Sequence, residues 1–187
     1  MRRSTVTTAL LLAIAVCVPT LSLHAQRKPV ELGFGGGASM PLGSSGDQLV
    51  LGWHALGTLS LRAPAIPIGL RLDAAYDQFE FERALIGSNG PPGAERVISF
   101  SVNPVIRLPG SGEQATPYFI GGVGSYAVGC TERSGACNSS TNIGWNLGGG
   151  ASFQIFGLKA FAEARYHHTT EAGLSTQYLP ITFGLLF

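Results

Sequence analysis

Asn142-Ile143-Gly144-Trp145-Asn146-Leu147-Gly148-Gly149-Gly150-Ala151-Ser152-Phe153-Gln154 alternates without a break. The odd positions read Ile, Trp, Leu, Gly, Ala, Phe, and the even positions hold only Asn, Gly, Ser and Gln. Period two over this length is the mark of a strand whose successive side chains point to opposite faces. Ile68 to Asp77 repeats the pattern: Ile68, Leu70, Leu72, Ala74 and Tyr76 share one face, and Gly69, Arg71, Asp73, Ala75 and Asp77 share the other. Each strand therefore has one wholly apolar face, and the question is what that face meets.

Working outward, the same reading gives eight strands at about 29–40, 50–62, 67–79, 96–108, 116–128, 142–155, 158–168 and 177–187. Gly, Ser, Asn, Asp and Pro clusters punctuate them. The connections around Ala63-Pro64, Pro109-Gly110 and Phe156-Gly157 are tight or modest. Those at 41–49, 80–95, 129–141 and 169–176 are mostly longer. An even number of strands with short turns at one end and longer loops at the other is the pattern of a transmembrane β-barrel. The expected fold is an all-β, eight-stranded, antiparallel up-and-down barrel.

Composition decides which way the faces point. Charged residues make up 12% of the 187, about half the ~25% of a soluble domain. A soluble ligand-binding barrel would coat its exterior with Lys and Glu, yet beyond the N-terminal segment the only lysines are Lys28 and Lys159. The polar face thus suits a closed interior and the apolar face suits lipid, with closure satisfying every backbone hydrogen bond. The 26 glycines follow no three-residue period and fit a sheet that must curve and pack closely. No basic excess points to nucleic acid, and no cofactor or metal is expected.

Residues 1–25 read as a secretory signal peptide. Arg2 and Arg3 form its positive start, Ala9 to Val18 is its apolar run, and Ala25 is a small residue before the cleavage point. Residues 26–187 then form one domain of near-neutral charge, with outer-membrane localisation expected. Cys130 and Cys137 survive processing into a compartment where thiols oxidise, so a disulfide bracing the loop at 129–141 is expected. In the chain-entropy picture such a short loop gains roughly 2–3 kcal/mol.

Aromatic residues at strand ends, Trp53, Tyr76, Tyr126, Trp145, Tyr166, Phe153 and Phe187, are expected to form interfacial girdles. Arg71, Asp73, Arg107, Glu163 and Arg165 fall on polar faces. Eight strands leave an interior only wide enough for side chains to fill it, so these charges are expected to pair as a plug across the lumen.

The chain ends Leu179-Pro180-Ile181-Thr182-Phe183-Gly184-Leu185-Leu186-Phe187. The alternating Leu179, Ile181, Phe183, Leu185 and Phe187 resemble the C-terminal signature by which outer-membrane barrels are recognised by the assembly machinery. With Pro117 to Gly124, Gly144 to Gly150 and Phe161 to His168, they make the sequence resemble the small outer-membrane barrel family of the opacity-protein and OmpA-like type. That resemblance implies membrane lipid and the barrel-assembly machinery as partners, and a ligand at the extracellular loops. The main functional expectation is a non-enzymatic surface scaffold, adhesive or supporting envelope integrity. A narrow porin-like channel is the alternative.

A second alternative is enzymatic. Arg165-Tyr166-His167-His168-Thr169-Thr170-Glu171-Ala172-Gly173-Leu174 is similar to the His-x-Ser-Asn-Ala stretch of the outer-membrane lipid A deacylases. In those barrels a Ser-His-Glu triad faces lipid. The resemblance places His168 as base, Thr170 where the nucleophilic serine stands and Glu171 where the asparagine stands. On the last strand, where the acidic member is expected, the sequence offers Gln177. With that group missing, the expectation is a degenerate site and no activity.

Overall fold

The structure, a computed structural model, describes residues 29–62, 67–82, 93–108, 115–131, 140–170 and 175–187. Eight strands follow in order: β1 (Val30–Leu42), β2 (Gly52–Arg62), β3 (Ile68–Glu80), β4 (Ala94–Arg107), β5 (Ala115–Thr131), β6 (Ser140–Ile155), β7 (Leu158–Thr170) and β8 (Ser175–Leu186). Each pairs antiparallel with the next, and β8 pairs with β1 to close the barrel. The C-terminal Phe187 completes the seam through backbone bonds of 2.7 and 3.1 Å to Leu32. Among the described residues no helix is long and apolar enough to cross a membrane. The crossing is made by strands, whose closure leaves no unpaired edge in hydrocarbon.

The outside is apolar all the way round. Phe34 on β1, Phe100 on β4, Val123 on β5, Leu147 on β6 and Phe183 on β8 are all exposed, as a lipid-facing wall requires. Ile181, Phe183, Leu185 and Phe187 lie on that wall too. The protein is an outer-membrane barrel. Its short connections, including the two-residue turn Phe156-Gly157, mark the periplasmic end, and the longer ones the extracellular end. Phe156 and Gly157 both have positive φ, +50° and +80°, as a two-residue hairpin turn matching strand twist demands.

Inside, polar side chains bond from wall to wall. Arg71 of β3 reaches Glu163 of β7 at 2.8 Å, and Arg165 of β7 reaches Asp73 of β3 at 2.8 Å. These strands are four apart in a ring of eight, so the bonds cross the bore. Arg71 also pairs with Asp73 at 2.9 Å, and Arg165 with Glu163. Tyr118 donates to Glu163 at 2.8 Å, Asn103 to Asp73 at 2.8 Å and Asn146 to Asn103 at 2.9 Å. Two arginines and two carboxylates thus neutralise one another in a buried, hydrogen-bonded layer, the condition under which interior charge is tolerated. Glycine makes room for it: a Cβ at Gly150 would lie 2.4 Å from the Ala162 carbonyl and 2.7 Å from the Tyr118 hydroxyl.

Two sequence expectations need revision, and a third falls outside the described residues. Arg107 stands at the periplasmic mouth, away from this layer, and has no ion pair among the described residues. It is the last residue of β4, and the strand rise carries its side chain past the carboxylates. Tyr126 is fully buried in the lumen, where its hydroxyl meets His167 Nδ1 at 3.1 Å, and is no part of a girdle. Even-numbered residues of β5 point inward, and Tyr118 follows the same parity. For the disulfide, Cys130 is near the end of β5 while Cys137 lies outside the described residues, as do residues 1–25, read as the signal peptide.

Candidate active site

Alternation along β7 separates two chemistries. Glu163, Arg165, His167 and Thr169 are buried in the lumen, whereas Tyr166 and His168 lie on the outer wall. Thr170, the last residue of β7, occupies the next position of the same parity as His168. Glu171 lies outside the described residues.

Register places one residue on each side of His168: Trp145 of β6 and Gln177 of β8. Directly opposed residues on neighbouring strands are the closest cross-strand contacts a sheet offers. The His168 ring lies 5.5 Å from Trp145 and 6.4 Å from Tyr166, nearly parallel to the latter, and the Trp145 and Tyr166 rings lie 5.4 Å apart. Two aromatic side chains thus pack beside the imidazole in one cluster. On the β2–β3 side of the barrel, Trp53 and Tyr76 pack in the same way at 5.3 Å, but among the described residues no histidine joins their ring contact.

Gln177 is held from three directions. The Tyr166 hydroxyl donates to its Oε1 at 3.0 Å, its Nε2 donates to Ser175 Oγ at 3.0 Å, and its backbone N–H donates to Ser45 Oγ at 3.2 Å. Ser45 belongs to a short 3₁₀ turn, Gly43–Ser45, after β1. Gly43 has φ +57°, a conformation that favours glycine, and a Cβ there would stand 2.8 Å from Gln177 Oε1 and push its amide aside. Sequence reading misses Ser45 and Gly43, because only the β8–β1 seam brings residues 43–45 to the end of the chain.

The chemistry available is that of the His168 base and the Ser175 hydroxyl on a lipid-facing wall, with Thr170 next along the strand. Thr170 follows His168 by two, Ser175 is the cross-strand partner of Thr170, and Gln177 lies opposite His168. A nucleophile, a base and a third group that orients the base is the arrangement activated hydroxyls share. A second imidazole–hydroxyl pair exists in the lumen, His54 Nε2 to Thr182 Oγ1 at 2.8 Å. Its members are 4% and 3% exposed, so no acyl chain outside the barrel can reach them. Among the described residues no group of three or more His, Cys, Asp or Glu is placed to hold a metal ion.

Solved structures with this architecture include Neisserial surface protein A, 13% identical with a TM-score of 0.63, covering 85% of this chain and 96% of that one. A major outer-membrane protein of Thermus thermophilus is 14% identical with a TM-score of 0.53, over 84% and 98% of the two chains. The Ail protein of Yersinia pestis in a phospholipid nanodisc is 16% identical with a TM-score of 0.53, over 86% and 100%. At these identities the likeness is one of fold. No curated protein matches the sequence. The sequence profile of one family does match, lipid A 3-O-deacylase (PagL), over residues 47–178. That stretch contains Trp145, His168 and Gln177, and it overturns the expectation of a scaffold without enzymatic activity. The row of side chains on the outer wall and the match through most of the chain lead to one conclusion: this protein belongs to the lipid A 3-O-deacylase family.

Proposed function

We propose that the barrel hydrolyses an acyl ester of lipid A from its outer wall, with His168 as general base and Thr170 as nucleophile. The observation that carries this reading is the position of His168. It faces lipid, not the lumen, packed in one aromatic cluster with Trp145 and Tyr166 at the strand end where an outer-leaflet lipid would lie. The Thr170 hydroxyl attacks the ester carbonyl while His168 takes its proton. The same proton then goes to the departing sugar oxygen, leaving an acyl-threonine. Water, deprotonated by His168, releases the fatty acid and restores the threonine.

Gln177 fills the place of the acidic member. Its amide can orient an imidazole but carries no charge to stabilise the imidazolium, so turnover is slow relative to a site with a carboxylate. The decisive experiment incubates the folded protein with lipid A in mixed micelles and follows 3-hydroxy fatty acid by mass spectrometry. Release by the unmodified protein that disappears in His168→Ala, with the folded band on an unheated gel unchanged, supports the reading. No release, or release indifferent to His168→Ala, overturns it.

A further inference from the structure

At the periplasmic mouth of the lumen, four strands direct charged side chains into one space: Glu31 from β1, Arg62 from β2, Arg107 from β4 and Lys159 from β7. Glu31 is shared. One of its oxygens takes Lys159 Nζ at 2.7 Å and the other takes Arg62. A single carboxylate therefore serves two cations, and Arg107 is left with no ion pair among the described residues. Arg107 also lies in the electrostatic field of Arg62 and Arg71, with Glu31 as the opposing charge. The Arg62 Nε is buried and has no hydrogen-bond partner among the described residues.

These groups line a cleft whose inner end is Arg71 and Tyr118, and to which Ser60 and Ser152 present hydroxyls. The Arg71 and Tyr118 polar atoms are already engaged with the carboxylates above. What remains open to the cleft consists of donors: the Arg107 guanidinium and the Ser60 and Ser152 hydroxyls. The connections flanking the mouth do not reverse the balance, since 63–66 holds no charge, 109–114 holds one acid, Glu113, and Arg27-Lys28 precede β1.

From this arrangement we infer that the periplasmic mouth is a binding site for a phosphate group, with Arg107 as its principal ligand and Arg62 adding positive field from its pair with Glu31. A planar guanidinium fork matches two phosphate oxygens at once. An incoming anion also relieves the repulsion among half-buried cations that Glu31 alone leaves uncompensated. The site opens toward the periplasm, at the opposite end of the barrel from His168, so it is separate from the ester-cleaving site and does not depend on it. The phosphate can be free in the periplasm or belong to a phospholipid of the inner leaflet.

The test uses the full chain folded in nanodiscs of phosphatidylcholine. In one arm inorganic phosphate is titrated against chloride at constant ionic strength, followed by ³¹P line broadening and by the urea midpoint of unfolding. In the other arm, free phosphate is omitted and phosphatidylglycerol replaces part of the lipid. Stabilisation in the first arm identifies a free anion, and stabilisation only in the second a lipid headgroup. In either case Arg107→Gln should weaken the effect roughly tenfold, Arg107→Lys should restore part of it, and Arg96→Gln at the other end of β4 should leave it intact. Should neither arm alter the unmodified protein, or should Arg107→Gln respond as fully as the unmodified protein, the site does not exist.

Discussion

Adjacent histidines on β7 meet opposite environments. His167 points into the lumen, stacks on Tyr178 at 4.9 Å and meets the Tyr126 hydroxyl. His168, one residue on, points toward lipid and lies against Trp145 and Tyr166. Nothing about the dipeptide itself distinguishes them, and only the alternation of the strand does. The contrast shows how this fold divides its labour. The inner face carries a polar network bonded from wall to wall, and the outer face carries few polar groups, His168 among them.

The sharpest way to break the comparison is to remove each histidine in turn. His168→Ala should lower fatty-acid release by about 10²–10⁴-fold, the usual contribution of a positioned general base, with the urea midpoint of unfolding unchanged. His167→Ala should do the reverse, lowering the midpoint while release per folded molecule stays near that of the unmodified protein. Equal loss of release in both would mean that the lumen, and not the outer wall, carries the chemistry.

Next in size is the inner network itself. Glu163 accepts from Arg71, Arg165 and Tyr118, and Glu163→Gln removes the negative charge that two buried arginines share. Breaking a buried pair by taking away one partner costs about 3–5 kcal/mol, to be read from equilibrium unfolding in urea. Asp77 offers a milder contrast. Its carboxylate accepts from the uncharged Ser39 hydroxyl at 2.9 Å and has no ion pair among the described residues, so Asp77→Asn should cost less than Glu163→Gln. If both variants unfold together, the wall-to-wall ion pairs contribute nothing beyond ordinary polar packing.

The architecture is legible in the sequence because a barrel wall writes its two environments onto alternate residues. Trp145 and Asn146 sit on opposite faces of β6, and that is plain from their neighbours. Arg71, Asp73, Glu163 and Arg165 can be assigned inward by the same rule. Whether they meet cannot be read so directly, since contact depends on the stagger between strands four apart. Arg107 shows the difference, because parity places it inside and its height along the strand separates it from the other four. Tyr126 shows another limit: a tyrosine near a strand end resembles a girdle residue until its parity is followed strictly. At the outer site, the spacing of His168 and Thr170 is visible in the chain. The clamp on Gln177 is not, because Ser45 and Gly43 reach it only through the closing seam of the barrel.

The Gln177 clamp leads to a prediction of opposite sign. Gln177→Glu puts a carboxylate across the register from His168, able to stabilise the imidazolium that forms as the hydroxyl is deprotonated. In an optimised triad, replacing the acid by its amide costs ~10⁴-fold. Here the tyrosine and serine bonds hold the side chain for an amide, so the gain in release should be nearer tenfold. Tyr166→Phe, which removes the donor to Gln177 Oε1, should lower that gain. An unchanged or reduced rate in Gln177→Glu would place the orienting group elsewhere, with Glu171 the next carboxylate along the chain to examine.

Thr170→Ser gives the smallest effect and the most specific one. A threonine is stiff about χ1 because two heavy atoms branch from its Cβ, and its hydroxyl is secondary, so attack on an ester crowds the methyl group against the incoming acyl chain. Thr170→Ser removes that methyl and keeps the nucleophile. Release should rise about threefold if the hydroxyl forms the covalent intermediate, whereas Thr170→Val, which keeps the shape and discards the oxygen, should reduce it to the level of His168→Ala. Ser175 on β8, cross-strand partner of Thr170, provides the control. Its hydroxyl already accepts from Gln177 Nε2, so Ser175→Ala should alter the rate only through that amide. If Thr170→Val stays active and Ser175→Ala does not, the nucleophile belongs to β8, and the division of labour between the faces survives with a different oxygen on the outer one.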